Sequence, residues 1–198
     1  MSIDPSGLDA LFLWGQNRAE DSPLIGREIR TSKYGFNLFT LSANPPPVFD
    51  VRTEKNIVSL LPAVQDLARQ HVYQVRQTGA DMRIISGTRT FAQQNVLYTQ
   101  GRTAPGNVAT NAKGGFSNHN FGVAYDVGFF DSKGSYVSEG PDYDVAGQIG
   151  TSAGLEWGGN WTGIVDRPHF QLTHGLTISQ MRNRVESGQS AIPQKAPR

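Results

Sequence analysis

The chain has 198 residues, 37% of them hydrophobic and 18% charged, which suits one folded domain with an extension and excludes a disordered chain. Its 18 basic and 17 acidic residues give a formal net charge of +1, so no nucleic-acid partner is expected on electrostatic grounds. With no cysteine, the sequence excludes disulfide scaffolds, thiolate zinc fingers and cysteine nucleophiles.

Residues 1–50 are punctuated by Gly, Pro, Ser and Asn and contain Pro45-Pro46-Pro47, a stiff extended stretch. They are expected to form an extension that packs on the domain, because Leu11, Phe12, Trp14, Phe36 and Phe39 favour burial. The competing reading is a docking or delivery segment. The opening MSIDPSGLDALFLWGQNRAED lacks a basic region before its short apolar patch, so no secretory signal is expected. No apolar run reaches the length of a bilayer span, and no membrane insertion is expected.

The main domain is expected over residues 51–187. Ile57, Leu60, Leu61, Val64, Leu67, Ala68, His71 and Val75 recur at helical spacing, predicting a helix over 54–78 with Thr53 as N-cap. Pro62 falls in its first turn or kinks it. His71 lies on or beside the apolar stripe and is given no catalytic role. Residues 82–86 read as a short buried strand, and 87–90 turn into a helix over 91–100. The Gly-, Asn- and Thr-rich residues 101–118 form a long loop of the kind that carries function. A strand follows over 121–130, then a turn at Asp131–Gly134, a helix over 143–155 and a tight aromatic turn over 156–161. A closing strand starts at His169, and a last helix spans 178–185. Residues 188–198 are expected to be a tail. Strands and helices mix without βαβ alternation, so the predicted class is α+β.

Asp126 stands between Tyr125 and Val127 in an apolar strand, and a buried carboxylate needs a partner. Strand alternation puts it on one face with the small Ala124. His119 closes the polar loop just upstream, and Gly122 lets the chain turn between them. His169 follows Pro168, which marks the start or edge of a strand. His174, an odd number of residues on, points away. Two histidines and one carboxylate are a ligand set of catalytic zinc, which keeps an open position for water. A further carboxylate that is not a ligand can serve as general base and proton donor. Asp166, three residues before His169, is the candidate.

Ser-x-His-x-x-Gly-x-Ala-x-Asp over 117–126, followed by Asp-x-Pro-His over 166–169, resembles the zinc peptidase superfamily of D-alanyl-D-alanine carboxypeptidases and L-alanyl-D-glutamate peptidases. The likeness is closest to the L-alanyl-D-glutamate group, which includes phage endolysins, and extends over about residues 53–175. It also takes in Ser86–Arg89, Gly101–Gly106, Thr110–Gly115 and Leu155–Gly159. It implies a small, mainly antiparallel sheet with flanking helices and a zinc site in a surface cleft. One Zn2+ per chain would be held by His119, Asp126 and His169. Asp166 would be the catalytic acid/base. Arg89 would bind substrate or stabilise the oxyanion, a task its rigid donor fork suits. Ser117 and Trp157 are further substrate-side candidates, and Trp161 shares with Trp157 the choice between cleft wall and core.

The function this resemblance implies is hydrolysis of the L-Ala–D-Glu bond of peptidoglycan stem peptides, with cell-wall lysis as the outcome. The alternatives are a D,D- or L,D-carboxypeptidase trimming the same stems and, from another class, a non-catalytic wall-binding or structural zinc domain. The protein is expected to be a monomer, made in the cytoplasm and acting in the periplasm or cell wall. It would arrive there as an endolysin or as a secreted antibacterial effector, and an effector would have an immunity protein.

Overall fold

A computed structural model of the protein describes residues 49–193. The expectations for the N-terminal extension, including burial of Leu11, Phe12, Trp14, Phe36 and Phe39, lie outside the described residues, as do those for residues 194–198.

Helix α1 (Val51–Val58) starts at Asp50, whose side chain accepts the Thr53 N–H. Thr53, expected as the cap, is instead the third helical residue. It is fully buried, and its hydroxyl accepts the Ile84 N–H at 3.1 Å. The chain then breaks, and α2 (Pro62–Arg76) starts afresh with Pro62 in its first turn. The single helix predicted over 54–78 is therefore two. Pro62 forces the preceding residue out of the helical region, and Leu61 sits at φ −62°, ψ 145°. The apolar stripe survives the break, with Ile57, Val64, Ala68, Val72 and Val75 fully buried. His71 is buried among them, 2.8 Å from the Tyr125 hydroxyl and 2.9 Å from the Ala146 carbonyl. Burial pushes its pKa down to about 4. The ring is neutral, donates Nε2–H to Ala146 and accepts from Tyr125, so its polar groups are satisfied inside the core.

Five strands form one antiparallel sheet: β1 (Asp81–Ser86), β2 (Ala124–Phe130), β3 (Tyr136–Val137), β4 (Glu156–Trp157) and β5 (His169–Gln171). The order is β1-β2-β5-β4, with β3 paired to the end of β2. The α+β class and the small antiparallel sheet expected from sequence are those observed. β3 and β4 are two-residue strands, too short to leave an alternation pattern. The outer edge of β1 is covered by α1, whose Asn56 and Arg52 side chains donate to the Ile84 and Ile85 carbonyls. Three further helices, α3 (Phe91–Thr99), α4 (Pro141–Ser152) and α5 (Ile178–Glu186), complete the domain. Capping boxes at Thr90/Gln93 and Thr177/Gln180 start α3 and α5.

The sheet has two chemically different faces. One carries Met82, Ile84, Tyr125, Val127, Phe129 and Phe170, all nearly inaccessible and packed with the α2 and α4 side chains. Each contributes on the order of 1.5–3 kcal/mol of burial free energy. Register places Ala124, Asp126, His169, Gln171 and Glu156 together on the other face. The core thus fixes the positions of polar residues it does not contain.

Candidate metal centre

Asp126 and His169 are direct cross-strand partners in the β2–β5 ladder, so the hydrogen bonds of the sheet set their separation. His119 comes from a short 3₁₀ turn, Asn118–Phe121, which ends at Gly122 in the left-handed region, φ 70°. A side chain there is excluded twice over. The φ is unfavourable, and a Cβ would lie 3.2 Å from the Leu61 nitrogen, whose N–H donates to the Gly122 carbonyl. The turn brings His119 Nε2 to 3.3 Å from Asp126 Oδ1, and His169 Nδ1 lies 3.2 Å from the same oxygen. One ligand atom from each of the three lies within 4.8 Å of the others.

The two imidazoles turn opposite nitrogens toward this point, and their outer hydrogen bonds explain why. His119 Nδ1 lies 2.8 Å from the Gly87 carbonyl, so Nδ1 carries the proton and Nε2 is left as a lone pair. His169 Nε2 lies 2.9 Å from Gln171 Oε1, so in the neutral ring Nδ1 is the free donor atom. The Gly87 carbonyl is in place because β1 has an irregularity at Ile85. Ile84 pairs with Val127 and Ser86 with Asp126, leaving Ile85 as the extra residue. Burial opposes ionisation of Asp126, but the charge and hydrogen bonds of the two histidines outweigh it and hold the carboxyl well below the usual range. Burial likewise opposes protonation of His169, and its bond to Asp126 reverses this, leaving the pKa above the ordinary value. With the His169–Asp126 proton displaced by a metal, two imidazole nitrogens and an ionised carboxylate, each oriented by its surroundings, would match the donor set of a catalytic zinc ion.

Arg89 is pinned to the same turn through its backbone. Its N–H donates to the His119 carbonyl at 3.0 Å, and its carbonyl accepts from the Asn120 amide at 2.8 Å. The guanidinium sits 3.6 Å from Asp126 Oδ2, and its Nε is buried with no partner. An unpaired buried donor beside the cluster is available to an anionic group. Asp166 is held by a tight turn: its carbonyl accepts the His169 N–H at 3.1 Å, and its own N–H donates to the Gly158 carbonyl at 3.0 Å. Burial, then the charge of Asp126, raises the Asp166 pKa, and the opposing pull of His169, His119 and Arg89 does not cancel them. A carboxyl shifted toward neutrality suits proton transfer.

Other sequence candidates fall differently. Trp157 pairs with Phe170 in the β4–β5 ladder and therefore lies on the core face, opposite Asp126. Its ring stacks near Phe170, with Gly147 and Gly159 against it, and its indole N–H donates to the Arg167 carbonyl at 2.8 Å. Trp157, a substrate-side candidate from sequence, thus lies on the face opposite Asp126 and braces the Asp166–His169 turn. Trp161 is the aromatic beside the cluster, its ring centroid 5.1 Å from that of His169 and the residue 38% exposed. Ser117 makes no side-chain cap to the turn it precedes, and its carbonyl accepts the Asn120 N–H. His174 is exposed, at φ 53°, and outside the cluster. In the loop after α3, the buried Gln94 amide donates to the Ala112 carbonyl, and Arg102 donates to the Tyr98 and Thr110 carbonyls. Sequence reasoning gave no role to Gly87, Gln171 or Glu156. For Gln171 a signal existed, since it stands two residues after His169 and shares its face.

Residues 110–172 match the D-alanyl-D-alanine carboxypeptidase family. Among curated proteins, the chain is similar to the peptidoglycan L-alanyl-D-glutamate endopeptidase CwlK of Bacillus subtilis (strain 168), 38% identical over 104 residues. That alignment takes in 48% of this chain and 62% of CwlK, so the chain spans under two thirds of that relative. Among solved structures, the Serratia marcescens L-Ala D-Glu endopeptidase ChiX aligns at 26% identity and TM-score 0.49, over 63% of this chain and 89% of ChiX. The vancomycin-resistance D,D-pentapeptidase VanY aligns at 17% and 0.43, over 67% and 81%. His119, Asp126, Asp166 and His169 all fall inside the segment that matches the D-alanyl-D-alanine carboxypeptidase family.

Proposed function

We propose that the protein is a zinc metallopeptidase that hydrolyses the L-Ala–D-Glu bond of peptidoglycan stem peptides. The observation that carries this reading is the convergence of His119, Asp126 and His169, with Arg89 and Asp166 against the same carboxylate. A zinc ion held by the three residues would supply Lewis-acid polarisation and make water nucleophilic at neutral pH. Asp166 takes a proton from the attacking water and returns it to the leaving amine of D-glutamate. Its raised pKa places it closer to that task than an exposed carboxylate. Arg89 offers its unpaired Nε–H and its terminal nitrogens to the substrate's carboxylate or to the oxyanion that develops on the scissile carbonyl. The likeness to CwlK supports the choice of bond. The second reading, a carboxypeptidase removing a terminal D-alanine, is favoured by the family that residues 110–172 match.

Mass spectrometry of peptidoglycan digested with zinc-loaded protein, beside His119→Ala and Asp166→Ala, separates the two. Glycan ending in L-alanine supports the endopeptidase, loss of one D-alanine supports the carboxypeptidase, and intact stems reject both. The setting proposed for such a wall-cutting enzyme is release as a phage endolysin, with injection as an antibacterial effector the alternative. Deleting residues 1–50 and finding delivery into neighbouring cells abolished would favour the effector.

A further inference from the structure

The polar face of the sheet continues beyond the metal ligands in an unbroken series of hydrogen bonds. His169 Nε2 lies 2.9 Å from Gln171 Oε1. The Gln171 amide nitrogen donates to Glu156 Oε2 at 2.8 Å. Glu156 Oε1 accepts from both the backbone N–H and the hydroxyl of Thr173. The Asn118 amide also donates to Gln171 Oε1. His169, Gln171 and Thr173 are each no more than 6% exposed, so water does not substitute for these partners. Gln171 lies opposite Ala124 on β2 and Glu156 on β4, so the small Ala124 side chain leaves the amide its room.

Direction in this series comes from one end. A glutamine amide has a donor end and an acceptor end, and either could face the imidazole. An ionised carboxylate only accepts. Glu156 is held ionised: burial opposes this, but the Thr173 and Gln171 bonds outweigh it and lower its pKa. It therefore demands the NH2 end of Gln171, and the oxygen end is left for His169. An oxygen there accepts only from Nε2–H, so once Nδ1 gives up the proton it shares with Asp126 the lone pair of the neutral ring is on Nδ1.

We infer that Gln171 and Glu156 are positioning residues that fix the tautomer of His169 and so present its Nδ1 to the metal. Neither touches the reacting atoms. This rests on reading His119, Asp126 and His169 as a zinc site, and the test keeps the two claims apart. Glu156→Gln is nearly isosteric but can donate as well as accept, so Gln171 loses its instruction and turns over in part of the molecules. Gln171→Leu removes the acceptor altogether. Zinc affinity would be measured by chelator competition for the wild type and both variants. The tautomer of His169 would be read separately, by long-range proton–nitrogen NMR of the metal-free protein at a pH where the ring is neutral. Thermal unfolding of the metal-free proteins identifies any variant that is merely misfolded.

The expected result is zinc affinity about 10- to 100-fold weaker in both variants, the range seen when the outer partner of a ligating histidine is removed. In parallel, the Nε2–H signature of His169 in the wild type would become mixed in Glu156→Gln. Unchanged affinity, or a His169 spectrum identical in wild type and Glu156→Gln, would overturn the inference. If the wild type binds no zinc, the metal-site reading fails. The spectra alone then decide the positioning claim: a tautomer that shifts in Glu156→Gln sustains it, and one that does not ends it. A lowered unfolding temperature in Gln171→Leu with the tautomer intact in folded Glu156→Gln would also count against it.

Discussion

Gly158→Ala should lower the proposed peptidase activity roughly 100-fold while leaving the fold standing. A Cβ at position 158 would lie 2.4 Å from the Asp166 carbonyl oxygen and 3.2 Å from the Cβ atoms of both Asp166 and His169. The nearest of these contacts must open by about 1 Å to reach ordinary van der Waals separation. The atom in the way belongs to backbone that also receives the His169 N–H, so no flexible side chain can yield instead. The Gly158 carbonyl, which accepts both the Trp161 and Asp166 N–H groups, is moved by the same push. The displacement falls on the proposed proton carrier and a metal ligand together. Misplacement of about 1 Å costs roughly 100-fold in rate, equivalent to about 2.7 kcal/mol of transition-state stabilisation. Global stability should fall by only about 1–3 kcal/mol, the usual cost of one extra methyl in a packed site. The assay is kcat/KM for stem-peptide cleavage, beside thermal unfolding. Gly163→Ala is the control, since a Cβ there meets nothing within 4 Å. Activity of Gly158→Ala within threefold of wild type, with normal folding, would refute the reasoning.

Asp166→Asn should lower kcat by about 10²–10⁴-fold. Because the Asp166 pKa is raised, its ionised form opposes folding, an opposition that is absent at low pH and grows as pH rises through the folded value. Metal-free Asp166→Asn should therefore be at least as stable as wild type at neutral pH, and a clear loss in thermal unfolding contradicts the assigned shift. Arg89→Ala should cost about 10²–10³-fold in kcat/KM, and Arg89→Lys should recover only part of it, since an ammonium lacks the planar fork. Equal rates for Arg89→Lys and wild type would remove the guanidinium from the mechanism. The Asp126–His169 pair gives the metal-free protein a stability contribution with a bounded window. Its lowered carboxyl contributes above the ordinary value of 3.8, and this is lost as pH falls through the folded value. Its raised imidazole contributes below the ordinary 6.5, and this is lost as pH rises through the folded value. Zinc requires the deprotonated ring, so zinc affinity should rise with pH across the range where this contribution declines. Titration calorimetry against pH, showing both trends with the same sign, would contradict the pairing.

The sequence by itself determined which residues could bind a metal and the class of fold that would carry them. Asp126 stands alone in an apolar strand, and His169 follows a proline that marks a strand edge. These are local facts, legible because side-chain alternation and proline's missing N–H act within a few residues. The helical stripe from Ile57 to Val75 was legible for the same reason, and the break at Pro62 followed from the restriction on Leu61. Tertiary structure decided which nitrogen each histidine presents, because the deciding carbonyl of Gly87 lies 32 residues from His119 and is aimed by a bulge in another strand. It also decided that Glu156, not its neighbour Trp157, shares the sheet face of Asp126 and His169. A two-residue strand carries no period to read, and its face is set only by pairing with β5. Residue chemistry is written locally. The tautomer, the charge and the face of the sheet are set by partners that only the folded chain brings together.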